Sequence, residues 1–210
     1  MFLAVLVLSL LLAAFALQSF DLSFTVVASA VIAHDVALAA LIFYLVWRSH
    51  ERLAAIGWVS HGVMREVFLG VALYVPLFLG IAVVAELLQA AGLPPPPKPP
   101  EFLVPRTATE HLLALVFLTV VAVTEETIFR GYLLRRFTQI TNSRLLAVVL
   151  SSTIFAFGHA YQGSLGIIAV GLIGVVFALV YLWRGSLVAP AVMHFIQDFI
   201  GIVVAPRIVG

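Results

Sequence analysis

Six residues in the second half of the chain have the types and spacing of a hydrolytic site. Glu125, Glu126 and Arg130 stand in TEETIFRGYLLRR, residues 124–136. His159 closes FAFGH, residues 155–159, and His194 and Asp198 bracket HFIQD, residues 194–198. On a helix Glu126 and Arg130, four apart, share a face and can pair. Glu125 points about 100° away from Glu126 and is left free for chemistry. His194 and Asp198 share a face in the same way. A glutamate and two histidines near one water suit hydrolysis in two ways. In the first, Glu125 is the general base in desolvated surroundings. His159 helps hold or activate the water, and His194 with Asp198 donates to the developing oxyanion. In the second, Glu125, His159 and His194 bind Zn²⁺ and leave its fourth position open. A separate base is then needed, and Glu126 is compromised by Arg130. The spacing leaves both open.

Each group has a plain explanation when it stands alone. The two glutamates and the arginine could mark a helix end at a polar interface. A single histidine in an apolar span is more often a packing residue, and a local His–Asp pair can neutralise itself. The elements that must carry the six residues argue otherwise. The chain has 210 residues, 63% hydrophobic and 10% charged, with a mean hydropathy of +1.19. A soluble domain carries roughly 25% charged residues, so this composition reads as an all-α polytopic transmembrane helix bundle. Apolar stretches at 1–18, 24–47, 66–91, 110–131, 145–160, 165–183 and 187–205 predict about seven spans. The first has small residues near its end, as a signal peptide does, but no positive leader, and is expected to stay as a span.

A charge inside a bilayer costs at least about 2.5–3.5 kcal/mol and persists where it faces a cavity or a partner. The predicted hairpin of the fourth and fifth spans turns near Thr141. Glu125 is 16 residues before that turn and His159 is 18 after it. At about 1.5 Å per residue both lie about 25 Å of helix from the turn. The seventh span, starting after Arg184, brings His194 and Asp198 about 15–20 Å in. Three helices thus deliver a glutamate and two histidines to overlapping depths, which predicts one buried polar site. His34 and Asp35 lie in the second span, and the expectation for them is a pair turned to the bundle interior.

The rest of the chain sets the frame. Arg48, Arg52, Arg65, Arg130, Arg135, Arg136, Arg144 and Arg184 fall on the side of the even loops; Lys98, Arg106 and Arg207 fall on the other. The bias towards positive charge on the inner side predicts a cytoplasmic N-terminus. GLPPPPKPPEFLVPR, residues 92–106, cannot be helix and should be an extended outer loop. TATE, residues 107–110, has capping-box spacing and should start the next span. The sixth span carries Gly163, Gly166, Gly171 and Gly174, small residues that let membrane helices approach closely. Net charge is +1 with no basic patch, so no nucleic-acid partner is expected. There is no cysteine, which excludes disulfides, thiolate metal sites and Cys nucleophiles.

In order and on successive spans, EETIFR fits E-E-x-x-x-R, FAFGH fits F-x-x-x-H and HFIQD fits H-x-x-x-[N/D]. The set resembles the three motifs of the CPBP family, the CAAX proteases and bacteriocin-processing enzymes. That family is also called Abi and includes the Ras-converting CAAX endopeptidase. The resemblance covers about residues 105 to 205. It implies an intramembrane endopeptidase of membrane-bound protein or peptide substrates, with its active site inside the bilayer. By that analogy Glu125 and His159 activate water, His194 and Asp198 stabilise the oxyanion, and Glu126 and Arg130 support the site. Members are often labelled metalloproteases. The expectation here is the metal-free glutamate–water mechanism, with Zn²⁺ the cofactor of the alternative. Residues 105–210 are expected to form the catalytic core, and residues 1–104 the N-terminal membrane helices and proline-rich loop. A bacterial cytoplasmic membrane is the expected location.

Two departures stand out. Many relatives are similar to an eight-span protein and continue past the third motif, so one wall of this bundle is expected to be missing. The third motif ends in Asp198 where the eukaryotic-type enzymes carry Asn, and a carboxylate must be protonated, or must orient His194, to serve an oxyanion. Other intramembrane protease classes lack support. There is no H-E-x-x-H and no G-x-G-D, and GSLG at 163–166 misplaces the serine of a rhomboid G-x-S-G. Two further readings are a proton-coupled transporter using the buried ionisable residues as a relay, and an immunity or scaffold protein that binds without cutting. A transporter is disfavoured by the lack of an inverted repeat. Loss of a motif residue would favour the scaffold, and none is missing.

Overall fold

A computed structural model describes Val5, residues 22–60 and residues 62–208. Apart from Val5, the expected first span lies outside the described residues. Helix α1, Phe24–Arg48, starts at Ser23, whose hydroxyl accepts from the Val26 N–H. Helix α2, Val63–Ala90, carries Pro76 in its interior. Helix α3, Ala108–Glu126, opens with the capping box that TATE predicts: Thr107 accepts from the Glu110 N–H, and the Glu110 carboxylate accepts from the Thr107 N–H. It continues without a break through a π-helical segment, Thr127–Leu133, into α4, Leu134–Thr141. Asn142, at φ 53°, makes the left-handed turn, and Ser143 caps α5, Arg144–Gly158. Then come α6, Gly163–Arg184, α7, Val188–Phe199, a second π-helical segment, Ile200–Val204, and α8, Ala205–Ile208. Among the described residues there is no strand.

The chain is an integral membrane protein with an all-helical fold. Among the described residues, five helical stretches are long and apolar enough to cross a bilayer: Phe24–Arg48, Val63–Ala90, Ala108–Thr141, Ala160–Arg184 and Val188–Ile208. Arg144–Gly158 is apolar but shorter. Its 15 residues reach about 22 Å, less than the roughly 30 Å of hydrocarbon. Beyond its apolar stretch the fourth span's helix continues through Arg135 and Arg136 to Thr141, where the sequence places the turn.

Packing follows the small and buried residues. α2 lies against α7, α5 against α6, α1 against α3, and α3 against α7. Gly70 sets the α2–α7 approach, since a Cβ there would stand 2.7 Å from the Ala189 carbonyl oxygen. The glycine-rich helix α6 buries Gly166, Gly174, Phe177 and Ala178 and is central, as its composition predicts. The outer faces of the bundle are apolar, with Phe68, Leu79, Leu112 and Trp183 exposed, as befits side chains that meet lipid.

Two features fix the site's surroundings. α1 and α3 run in the same direction: the Phe24 and Phe117 rings meet edge to face at 6.3 Å, and Leu38 and Ile42 pack with Ile128, Phe129 and Tyr132. The loop after α1 folds back onto the π-helical segment. There Trp58 Nε1 donates to Thr127 Oγ1 at 3.2 Å, and a Cβ on Gly131 would stand 2.7 Å from the Ile56 carbonyl oxygen. Glu51, in the same loop, holds Arg135 at 2.8 Å and Arg136 at 2.6 Å.

Candidate active site

Glu125 and Glu126 end α3 where the backbone changes from α- to π-helical, and Arg130 lies within the wide turn. Wide turns of this kind occur mostly at functional sites, because they re-aim side chains without breaking the helix. The Phe129 carbonyl in this turn accepts from Ser151 Oγ of α5 at 2.7 Å. The two glutamates part company here. Glu126 is fully buried, and its Oε1 accepts from Arg130 Nη1 at 2.9 Å. Glu125 keeps 22% of its side chain exposed.

Arg130 is the largest fully buried side chain among the described residues. A second guanidinium nitrogen donates to the Gly174 carbonyl at 3.3 Å. The guanidinium lies 4.3 Å from the centre of the Phe155 ring and 5.3 Å from that of Phe177. Gly174 allows this close approach: a Cβ there would sit 3.2 Å from Phe155 and 3.3 Å from the guanidinium, so its neighbours would have to give by a few tenths of an ångström. An arginine in hydrocarbon thus has a carboxylate, a carbonyl and aromatic faces around it, the partners such a charge needs.

α7 brings His194 to the same place. Its Nδ1 donates to Glu126 Oε1 at 2.9 Å, because a carboxylate oxygen only accepts. Its Nε2 faces Asp198 Oδ2 at 3.4 Å and Glu125 Oε2 at 3.7 Å. His194 is buried, whereas Asp198 keeps 24% of its side chain exposed. The buried part of the cluster is therefore Glu126, Arg130 and His194, and its accessible edge is Glu125 and Asp198. The Tyr74 hydroxyl of α2 donates to Gln197 at 3.1 Å beside this edge.

His159 is placed differently from the rest. The helix expected to run through it ends at Gly158, and His159 is the residue that closes it. Its Nδ1 donates to the Phe155 carbonyl at 2.9 Å, which leaves Nε2 as the outward nitrogen. The Phe155 ring touches both histidines, at 4.8 Å from the ring of His159 and 5.7 Å from that of His194. His34 and Asp35 pair with each other at 3.0 Å; Asp35 is buried, while His34 keeps 37% of its side chain exposed and so is not fully turned inward.

Among the described residues no group of three His, Asp or Glu side chains stands so as to hold a metal ion. Each histidine donates its Nδ1, His194 to Glu126 and His159 to the Phe155 carbonyl, and keeps Nε2 for the site, the same bonding that orients a metal-ligating imidazole.

Sequence spacing did not reveal the contact between Glu126 and His194, nor the roles of Phe177 and Gly174 around Arg130. An arginine in an apolar helix signals that partners exist; nothing in its neighbourhood along the chain says which helices supply them.

An apolar cleft of about 290 Å³ lies between α3 and α7, lined among others by Ala122, Val123, Ala191, Val192 and Phe195. The cleft lies on the same two helices as Glu125 and His194, and none of the six site residues lines it.

Residues 107–200 match the family model described as type II CAAX prenyl endopeptidase Rce1-like. The match begins at the capping Thr107 and takes in Glu125, Glu126, Arg130, His159, His194 and Asp198. No curated protein and no solved structure matches the chain.

Proposed function

With residues 107–200 forming a segment of the Rce1-like family as the premise, we propose that this membrane peptidase cleaves CAAX-type or related membrane-bound peptides using water activated by Glu125. The observation that carries the reading is the unequal treatment of two adjacent glutamates. Glu126 is buried under Arg130 and His194, while Glu125 keeps 22% of its side chain exposed, and its buried Oε2 makes no hydrogen bond and lies 3.7 Å from His194 Nε2.

In the reaction, Glu125 takes a proton from water as the water oxygen attacks the scissile carbonyl carbon. His159 supports the water through Nε2. His194, as the imidazolium, donates through Nε2 to the oxyanion, and Asp198 orients it. Glu125 then returns the proton to the leaving amine as the C–N bond breaks, releasing a carboxylic acid and an amine. Glu126 and Arg130 hold His194 in place, which makes them positioning residues. The cleft between α3 and α7 takes the apolar part of the substrate. Residues 105–210 are the proposed reacting unit, and the described helices α1 and α2 pack against its α3 and α7. The arginine distribution sets the N-terminus in the cytoplasm.

The test is N-terminal peptide mapping of membranes from cells expressing wild type or Glu125→Gln at matched levels. New termini found only with wild type are the expected result. Identical maps from two folded, abundant proteins would overturn the reading in favour of a non-cleaving binder.

A further inference from the structure

Asp35 is a buried carboxylate that the reaction above does not use, and it stands outside the segment matched to the family. It is 5% exposed on α1, on the same buried stripe as Ala28, Leu38 and Ile42. The register of α1 against α3 sets its level. Phe24 meets Phe117, and fourteen residues later Leu38 packs with Ile128 and Phe129. Asp35, one turn before Leu38, therefore comes level with the end of α3, where Glu125 stands. Asp35 is within electrostatic reach of both Glu125 and His194.

One oxygen of Asp35 is occupied: Oδ1 accepts from His34 Nδ1 at 3.0 Å. The other, Oδ2, is buried without a hydrogen-bond partner. An unsatisfied buried acceptor costs on folding and so marks a place where a donor belongs. A peptide entering a site within the bilayer brings main-chain N–H groups that need acceptors, because no bulk water is there to serve them. Among the buried side-chain oxygens at this level, Asp35 Oδ2, Glu125 Oε2 and Glu126 Oε2 have no hydrogen-bond partner. Glu126 is already held by Arg130 and His194, and Glu125 serves the water in the proposed reaction, which leaves Asp35 Oδ2 for the peptide.

We propose that Asp35 is a substrate-positioning residue: its Oδ2 accepts a hydrogen bond from a main-chain N–H of the bound peptide, so that α1 completes the binding site. The inference rests on the peptidase reading for its substrate class.

Binding separates the two. The probe is a fluorescent farnesylated peptide ending in a CAAX sequence, with full-length protein in nanodiscs. Its Kd is measured on Glu125→Gln, which binds without cutting, and on the same protein with Asp35→Leu or Asp35→Asn. Asparagine keeps an acceptor oxygen and leucine does not. The expected result is a Kd raised about tenfold by leucine and within about threefold of the parent for asparagine. Should the leucine variant fold poorly, a scan of singly N-methylated probes on the Glu125→Gln parent serves instead. One methylated position should then weaken binding about tenfold, and the Asp35→Ala variant should be indifferent to that methyl group. Equal Kd for parent and leucine variants, equal losses for leucine and asparagine, no sensitive N–H, or no binding by the parent would each overturn the proposal. Cleavage of the probe by wild type is read separately. Absence of cleavage with intact, Asp35-dependent binding would sink the peptidase reading alone.

Discussion

Glu126 Oε1 lies 2.9 Å from His194 Nδ1, a contact between residues 68 positions apart in the chain. The same oxygen takes a hydrogen bond from Arg130, also at 2.9 Å. One buried carboxylate oxygen thus ties the π-helical turn to α7. A buried charge pair contributes little net stability, but removing one partner leaves the other uncompensated at a cost of about 3–5 kcal/mol. The glutamate pair therefore has one member held at the centre of the cluster and one, Glu125, that makes no hydrogen bond.

Glu126→Gln should damage the fold. It leaves the Arg130 guanidinium without its carboxylate and weakens the grip on His194. Thermal unfolding in detergent should show a marked fall in Tm or in folded yield. A Tm equal to that of wild type would mean that Arg130 finds another partner.

Glu125→Gln should do the reverse. Its carboxylate is partly exposed and makes no hydrogen bond, so unfolding should change little while cleavage falls by at least two orders of magnitude, the range of a lost general base. Retention of wild-type cleavage would remove Glu125 from the chemistry.

Gly131→Ala should loosen the docking of the loop that follows α1. The added Cβ would meet the Ile56 carbonyl oxygen at 2.7 Å, and a backbone atom cannot swing aside. Overpacking of this kind costs about 1–3 kcal/mol. Trp58, which donates to Thr127 on the same turn, is a natural fluorescent reporter. A shift in its emission together with a lower Tm is expected.

Glu51 should give the fold an acid-sensitive contact outside the membrane spans. Burial alone would raise its carboxyl, but hydrogen bonds from Arg136 and Arg135 outweigh this and hold it below its usual value of 4.5. A depressed carboxylate contributes stability that is fully present above that value and lost as pH falls through the lower, folded-state value. Glu51→Gln should therefore have a lower Tm than wild type at pH 7. The gap should close as the pH drops below 4.5. A gap independent of pH would show that the loop is held by packing instead.

The length and type of most helices were legible in the sequence, because apolar runs and terminal signals are local. TATE marked the start of α3, the prolines of 92–100 excluded helix, and the glycines of α6 announced a tightly packed helix. The spacing of Glu126 and Arg130 gave their pairing, since positions four apart face each other on one helix. Local signals also misjudged one end. His159 looked like a mid-span residue, yet it closes its helix, with its own ring nitrogen bonded to the Phe155 carbonyl.

The sequence by itself determined that this chain lives in a membrane and that it is helical, and it picked out six ionisable residues in its second half as candidates for one site. Composition and periodicity carry that information directly. Only the tertiary structure decided which oxygen meets which nitrogen: Glu126 with His194, Arg130 with Gly174 and Phe155, and Asp35 at the level of Glu125. Those contacts depend on helix register, rotation and a π-helical turn. Each of these arises from the packing of whole helices on one another, and no short stretch of sequence contains it.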